Sequence, residues 1–308
     1  MNSLVIGSRG SQLARAQSNS IAAKIRTHHP DLVVHIKEIK TTGDKFANSL
    51  LSTLAGEAKG LFVKEIEEAL LEGSIDLAVH SLKDVPTALP EGLCLGATPE
   101  REEPWDAFVS TQPVLSLDEL AQGARIGTSS LRRKIQLAIR RPDLEIVPLR
   151  GNIDTRIRKL REEQLDGIIL AAAGLSRLKM DTAIAFRFSA DEMVPAIGQG
   201  CLALEVREQD SRVMDVIKDL NHSITQACVS AERVFLDRMG GGCQVPMGAY
   251  AVIRGNHSEF AVFVASESGK QSIRETFIGK RGELMNLVDE AVNSLLTQGG
   301  ARLLGNMD

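Results

Sequence analysis

A chain of 308 residues, 43% of them hydrophobic and 25% charged, has material for more than one core, which excludes a disordered segment. Its net charge of −4 excludes a general nucleic-acid binder, and no run approaches the ~18 apolar residues of a membrane-spanning helix. The four cysteines, Cys94, Cys201, Cys228 and Cys243, form no C-x-x-C pair, and the N-terminus lacks the pattern of a secretory leader. The expectation is a cytoplasmic protein with unbridged thiols and no structural zinc site.

In chain order, strand-length apolar runs cover 4–7, 32–39, 76–81 and 93–97, with helical patterns over 11–28 and 61–72. The order then repeats, with strands at 107–110, 125–127, 144–149 and 167–172 and helices at 130–141 and 153–163. Such alternation predicts an α/β architecture with a parallel or mixed sheet. Ile6-Gly7-Ser8-Arg9-Gly10-Ser11 and Ile126-Gly127-Thr128-Ser129-Ser130 both lead from a strand through a polar turn into a helix. Two α/β domains built alike are therefore expected. The Pro-punctuated, charged stretch 98–104 reads as a hinge, and a second crossing near 194–198 would return the strand at 202–206 to the first domain. The stretch 44–60 has no clear period and reads either as a mobile loop or as a plain connector. After about residue 221 the pattern changes to a helix over 223–239, three glycines, strands at 249–253, 260–265 and 272–278, and a helix over 283–296. The expected domains are 1–99 with about 198–219, then 100–197, then a small α+β domain over 220–308.

Charge is unevenly spread. Between Arg125 and Arg161 eleven Lys/Arg face only Asp143, Glu145 and Asp154, a pattern of either a solvated basic surface or a site for a polyanion. Position favours the second reading. Helix N-termini attract anions, and three strand–turn–helix junctions carry Arg as well: Arg9 before Ser11, Thr128-Ser129-Ser130 before Arg132 and Arg133, and Arg150 before Asn152 with Arg156 one turn on. A guanidinium fork binds a carboxylate through two parallel hydrogen bonds. Arg140, Arg141, Arg158, Lys159 and Arg161 read instead as surface charges or as complements to helix dipoles. Asp84 follows an apolar strand in His80-Ser81-Leu82-Lys83-Asp84-Val85-Pro86, where it is either a proton-transfer carboxylate or a turn residue paired with Lys83. Cys243, after Gly240-Gly241-Gly242, has an unencumbered setting, but the pattern does not identify what its thiol attacks. No nucleotide-binding loop or metal-ligand pattern is present in the sequence.

Taken together, these segments resemble the porphobilinogen deaminase (hydroxymethylbilane synthase) family. The matching blocks are Ser11-x-Leu13-Ala14-x-x-Gln17, Lys59–Glu65, His80–Pro86, Gly127–Arg133, Leu149–Asn152, Ala173-Gly174-Leu175-x-Arg177-Leu178, Gly198-Gln199-Gly200 and Gly241–Pro246. The resemblance implies two similar periplasmic-binding-protein-like α/β domains with a hinge, plus a small C-terminal α+β domain. It implies a covalent dipyrromethane cofactor on Cys243, to which four porphobilinogen units add in turn with loss of ammonia before the tetrapyrrole is hydrolysed off. By position it gives Asp84 the catalytic role and Arg9, Arg132, Arg133, Arg150, Arg156 and Arg177 the binding of pyrrole carboxylates. Ser11, Gln17, Lys59, Ser81, Lys83, Thr128, Ser129, Ser130, Asn152 and Gln199 match supporting contacts. It also implies a monomer without nucleic-acid or membrane partners. Departures from the family pattern fall at Arg15 and Ala16, on a helix face, and at Trp105, at the hinge. Two other readings stay open on the residues alone: a solute-binding module, which has no use for Asp84 or Gly-Gly-Gly-Cys, and a Cys-dependent transferase, which lacks an evident His base.

Overall fold

Three separate sheets organise the described residues, and the register of their strands explains where the loops gather. The computed structural model describes residues 2–41, 63–240 and 245–305. They cluster into two units, one of residues up to 102 with 200–226, the other of 103–199 with those from 227 onward.

In the first unit, β1 (Ser3–Arg9), β2 (Val33–Ile39), β3 (Leu77–Ser81), β4 (Leu93–Ala97) and the late strand β10 (Leu202–Arg207) make one sheet in the order β2-β1-β3-β10-β4. β1 runs parallel to β2 and β3, and β10 runs antiparallel to both β3 and β4. Apolar residues fill both faces, as a sheet covered on two sides requires. On one face Leu4, Ile6, Leu77, Val79, Leu204 and Val206 bury against Ile21 and Ile25 of helix α1 (Gln12–His28). On the other face Ala78 and Leu93 bury against Ile66, Ala69 and Leu70 of helix α2 (Lys64–Leu71).

The second unit repeats the plan. Its sheet has the order β7-β6-β8-β5-β9, from β5 (Asp106–Val109), β6 (Arg125–Gly127), β7 (Glu145–Val147), β8 (Gly167–Ala171) and β9 (Ile184–Arg187). β6 is parallel to β7 and β8, and β5 is antiparallel to β8 and β9. The two sheets thus share one topology, direction for direction, as the paired strand–turn–helix motifs predict. Helices α3 (Leu131–Arg140), α4 (Ile153–Glu162) and α5 (Ala172–Arg177) follow β6, β7 and β8. Leu137 packs with Phe108, Ile126 and Ile169 on one face; Leu160 and Leu175 pack with Val109, Ile168 and Leu170 on the other. Gly167 allows the sheet to close on its largest core ring: a Cβ there would lie 2.0 Å from Phe108 Cζ.

The remaining sheet is an antiparallel meander of β11 (Met247–Arg254), β12 (His257–Ala265) and β13 (Ser272–Lys280). Helix α8 (Leu284–Thr297) packs on β12 and β13, and Phe235 of helix α7 (Ser223–Arg238) meets Phe260 edge-on at 5.5 Å. The fold is therefore two α/β sheets and a small C-terminal α+β part. Sequence periodicity missed four short helices and strands, α5, β9, α6 (Ser211–Ile217) and α9 (Gly300–Leu303), none longer than 7 residues, because so few residues give no readable period. The family departures have local partners: Arg15 pairs with Glu38 at 2.6 Å, and Trp105 packs on Tyr250 at 5.1 Å.

Candidate active site

Parallel strands that feed helices leave their connecting turns at one edge of the sheet, where ligands of α/β proteins bind. In the first unit this edge carries Arg9, the last residue of β1, and Ser11, whose Oγ accepts from Ala14 N (3.2 Å) and caps α1. From inside α1, the buried Gln17 donates its Nε2 to Ser81 Oγ at 2.9 Å, at the end of β3. Directly beyond lies a single 3-10 turn, Leu82–Asp84, anchored by Leu82 N on Cys201 O (3.0 Å). Lys83 is half-buried and Asp84 exposed. The Asp84 carboxylate makes no hydrogen bond or ion pair among the described residues, which removes the alternative of a turn aspartate paired with Lys83. Lys59 and Cys243, and the whole stretch 44–60, lie outside the described residues.

The second unit presents the equivalent edge after β6, β7 and β8. Thr128 is buried and its Oγ1 accepts from Ser130 N (3.2 Å), while Ser129 is exposed. Ser130 caps α3 by accepting from Arg133 N at 3.5 Å. Arg150 is exposed; Asn152 is the N-cap residue of α4 but makes no side-chain cap bond, unlike the other two junctions. Arg156 donates Nε to Gly151 O at 2.7 Å, and Gly151 adopts φ 120°, open to glycine alone at low cost. Arg177 ends α5, half-buried. Gln199, fully buried, donates to Pro104 O (2.7 Å) and to Asp106 Oδ1 (3.1 Å). The structure thus assembles Arg9, Ser11, Gln17, Ser81, Lys83 and Asp84 on one sheet edge, and Thr128–Ser130, Arg150, Asn152, Arg156 and Arg177 on the other.

Arg132 and Arg133 differ from the other arginines. They are 5% and 6% exposed, and both turn inward onto Asp106, which is 0% exposed at the start of β5. Arg133 gives Nε (2.8 Å) and Nη2 (2.7 Å) to Asp106 Oδ1 and Nη1 (2.9 Å) to Ile169 O. Arg132 Nη1 reaches Asp106 Oδ2 (2.8 Å) and Val194 O (2.7 Å). Burial pushes the Asp106 carboxyl up, but the two guanidiniums outweigh it and hold that carboxyl well below the usual carboxylate range. Burial in turn lowers Arg133, with Asp106 acting against the shift.

Much of the basic excess between 125 and 161 is spent on the protein itself. Arg125 donates to Glu163 O (2.8 Å), Arg140 pairs with Glu192 (2.8 Å), Arg158 with Glu162 (2.9 Å) and Lys159 with Glu163 (3.8 Å). Arg141 corrects the expectation of a surface or dipole charge: it donates to Leu117 O and Leu120 O and pairs with Asp143 at 2.7 Å, clamping the preceding loop. Sequence reasoning passed over Asp106, His80 and Glu205. Each is a charged or ionisable residue inside an apolar strand, and that was the available signal: such a group is buried only with a partner.

Comparison with known proteins identifies the family. A family model described as porphobilinogen deaminase, dipyromethane cofactor binding domain, matches residues 4–215. A second, the porphobilinogen deaminase C-terminal domain, matches residues 226–296. The chain is 49% identical over 301 residues to porphobilinogen deaminase of Trichlorobacter lovleyi, covering 98% of this chain and 95% of that one. It is 48% identical to that of Syntrophotalea carbinolica (100% and 96% covered) and 46% identical to that of Bacillus cereus (99% and 97%). Among solved structures, the periplasmic VFT2 domain of Bordetella pertussis BvgS overlaps 76% of this chain and 92% of its own, at 14% identity and TM-score 0.43. A TRAP periplasmic solute binding protein from Desulfovibrio salexigens overlaps 76% of each chain, at 13% identity and TM-score 0.40. With both family models matched in order and relatives identical at nearly half of all positions end to end, the chain belongs to the porphobilinogen deaminase family.

Proposed function

We infer that this chain condenses four porphobilinogen units head to tail, with loss of ammonia, and releases hydroxymethylbilane by hydrolysis, in tetrapyrrole biosynthesis. The cofactor is dipyrromethane, and the proposed point of attachment is Cys243. Pyrroles bearing acetate and propionate groups suit the residues present. Two sheet edges offer guanidiniums, hydroxyls and amides, donors that match carboxylates. When bound, the dipyrromethane supplies the pyrrole carbon at which each new unit is added. Arg9, Arg150, Arg156 and Arg177 hold carboxylates of substrate and cofactor, and Arg132 and Arg133 do so only with the N–H groups that Asp106, Val194 O and Ile169 O leave over. Lys59, Lys83, Ser11, Gln17, Ser81, Thr128, Ser129, Ser130, Asn152 and Gln199 support them by hydrogen bonds.

The observation that carries the mechanism is Asp84, an exposed carboxylate with no described partner, held on a one-turn segment at the end of β3. From there it hydrogen-bonds or protonates the leaving aminomethyl nitrogen of porphobilinogen. It then faces the cationic carbon left by ammonia and takes part in removing the ring proton after attack. An anion suits the hydrogen bond to the leaving nitrogen and the two later steps, because each presents an N–H or a developing positive charge, whereas protonating that nitrogen takes the neutral acid form. The parts proposed to do this work are 1–99 with about 198–219, 100–197, and 220–308 bearing Cys243.

The reading also takes the enzyme to be a cytoplasmic monomer. Cys94, Cys201 and Cys228 form no disulfide, and no described helix is long and apolar enough to cross a membrane. The deciding experiment is Asp84→Asn, followed by intact mass, peptide mapping at Cys243 and turnover of porphobilinogen. The expected variant folds and carries the two-pyrrole mass but loses nearly all turnover; substantial turnover would overturn the assignment.

A further inference from the structure

Three ionisable side chains are buried together on the α2 face of the first sheet. Successive strand residues point to opposite faces. Leu77 and Val79 enter the larger core and Ala78 lies under α2, so His80 shares the α2 face. Leu204 and Val206 likewise enter the larger core, which leaves Glu205 on the α2 face. His80 is 6% exposed, Glu205 0% and Glu67, in the first turn of α2, 8%. His80 Nε2 lies 2.8 Å from Glu205 Oε2. With the Glu205 carboxylate as acceptor, the bond uses the His80 tautomer that carries hydrogen on Nε2. The register pairs His80 with Ala203 and Ala78 with Glu205, so this bond runs diagonally across the two strands. Glu205 Oε1 has no hydrogen-bond partner among the described residues. Burial, then the nearby Glu205, pushes Glu67 above the usual carboxylate range, with His80 acting in the opposite direction.

Such a cluster costs stability against an apolar set of equal volume, so its location calls for a reason. β3 runs from His80 through Ser81 straight into the turn that carries Asp84. On the α1 face Gln17 holds Ser81; on the α2 face Glu205 holds His80. Between them Leu202 pairs with Ser81, and Leu82 N reaches Cys201 O. The strand end is tied on both faces at adjacent residues.

We propose that His80 is a positioning residue for the deaminase reaction: its bond to Glu205 sets the strand end from which Asp84 projects. This rests on Asp84 being the catalytic carboxylate. The test uses full-length holoenzyme, with cofactor content read by intact mass and kcat and KM measured for porphobilinogen. His80→Leu should lower kcat by about 10²-fold, the effect of a small misplacement of a reacting group, with KM and cofactor content unchanged. His80→Gln keeps a donor near Nε2 and Glu205→Gln keeps the acceptor, so both should retain kcat within about threefold of native. Should His80→Leu fail to fold, Glu205→Leu breaks the same bond from the other strand and should show the same loss. A bond-breaking variant with native kcat, or an equal loss in His80→Gln, overturns the proposal. Asp84→Asn is assayed alongside, since turnover in that variant refutes the Asp84 assignment and not the His80–Glu205 coupling.

Discussion

Asp106→Asn removes one negative charge from between two buried guanidiniums and changes almost no volume. In the native chain Oδ1 accepts from Arg133 Nε (2.8 Å) and Gln199 Nε2 (3.1 Å), with Arg133 Nη2 at 2.7 Å, and Oδ2 lies 2.8 Å from Arg132 Nη1. An asparagine offers one oxygen, and its NH2 must face a guanidinium, donor against donor. Breaking one partner of a buried pair costs about 3–5 kcal/mol, and the depth of Asp106 places it in that class. For a unit of this size the fall in Tm is on the order of 10 °C. Paired urea and calorimetric unfolding of native and variant at pH 7 measures it. The exposed Arg15–Glu38 pair is the control: Arg15→Ala should cost at most about 1 kcal/mol. The pH dependence has a definite sign. The folded carboxyl of Asp106 is held below its ordinary value of 3.8, so its contribution is fully present above that value and is lost as pH falls below it. The gap between native and variant should therefore narrow by about 1.4 kcal/mol per pH unit below that point. A loss under about 1 kcal/mol at pH 7, or a gap independent of pH, would refute the view that Asp106 locks the two arginines.

Glu67 should behave in the opposite way. Its folded carboxyl is raised, so ionising it costs stability as pH rises above its ordinary value of 4.5. Glu67→Gln should be more stable than native at pH 8 and lose that advantage near pH 4, as read from urea midpoints. Gly167→Ala should destabilise by about 1–3 kcal/mol, because Phe108 is fully buried and has no room to yield; unchanged urea unfolding would contradict the close packing there.

The plan of two like α/β parts and a strand-rich tail was legible because it depends on local patterns. Strand–turn–helix junctions at Arg9–Ser11 and Thr128–Ser130 announce themselves through capping chemistry, and both serines do cap their helices. Asp84 was legible as a carboxylate at the end of an apolar strand. What the chain order concealed is pairing at long range. The return of β10 to the first domain was expected, but not its place between β3 and β4, and only that insertion brings Glu205 to His80. Likewise Asp106 meets Arg132 and Arg133 only once β5 lies against β8. A sequence displays charge by position, so the run from Arg125 to Arg161 reads as a basic surface or a polyanion site, without showing which of its charges pair within the protein. Folding sorts that charge, because a buried ion is tolerated only beside its counter-ion and an exposed one needs none. The residue types at each strand end follow from local chemistry, but which of them stay open to a ligand is decided by the tertiary partners they meet.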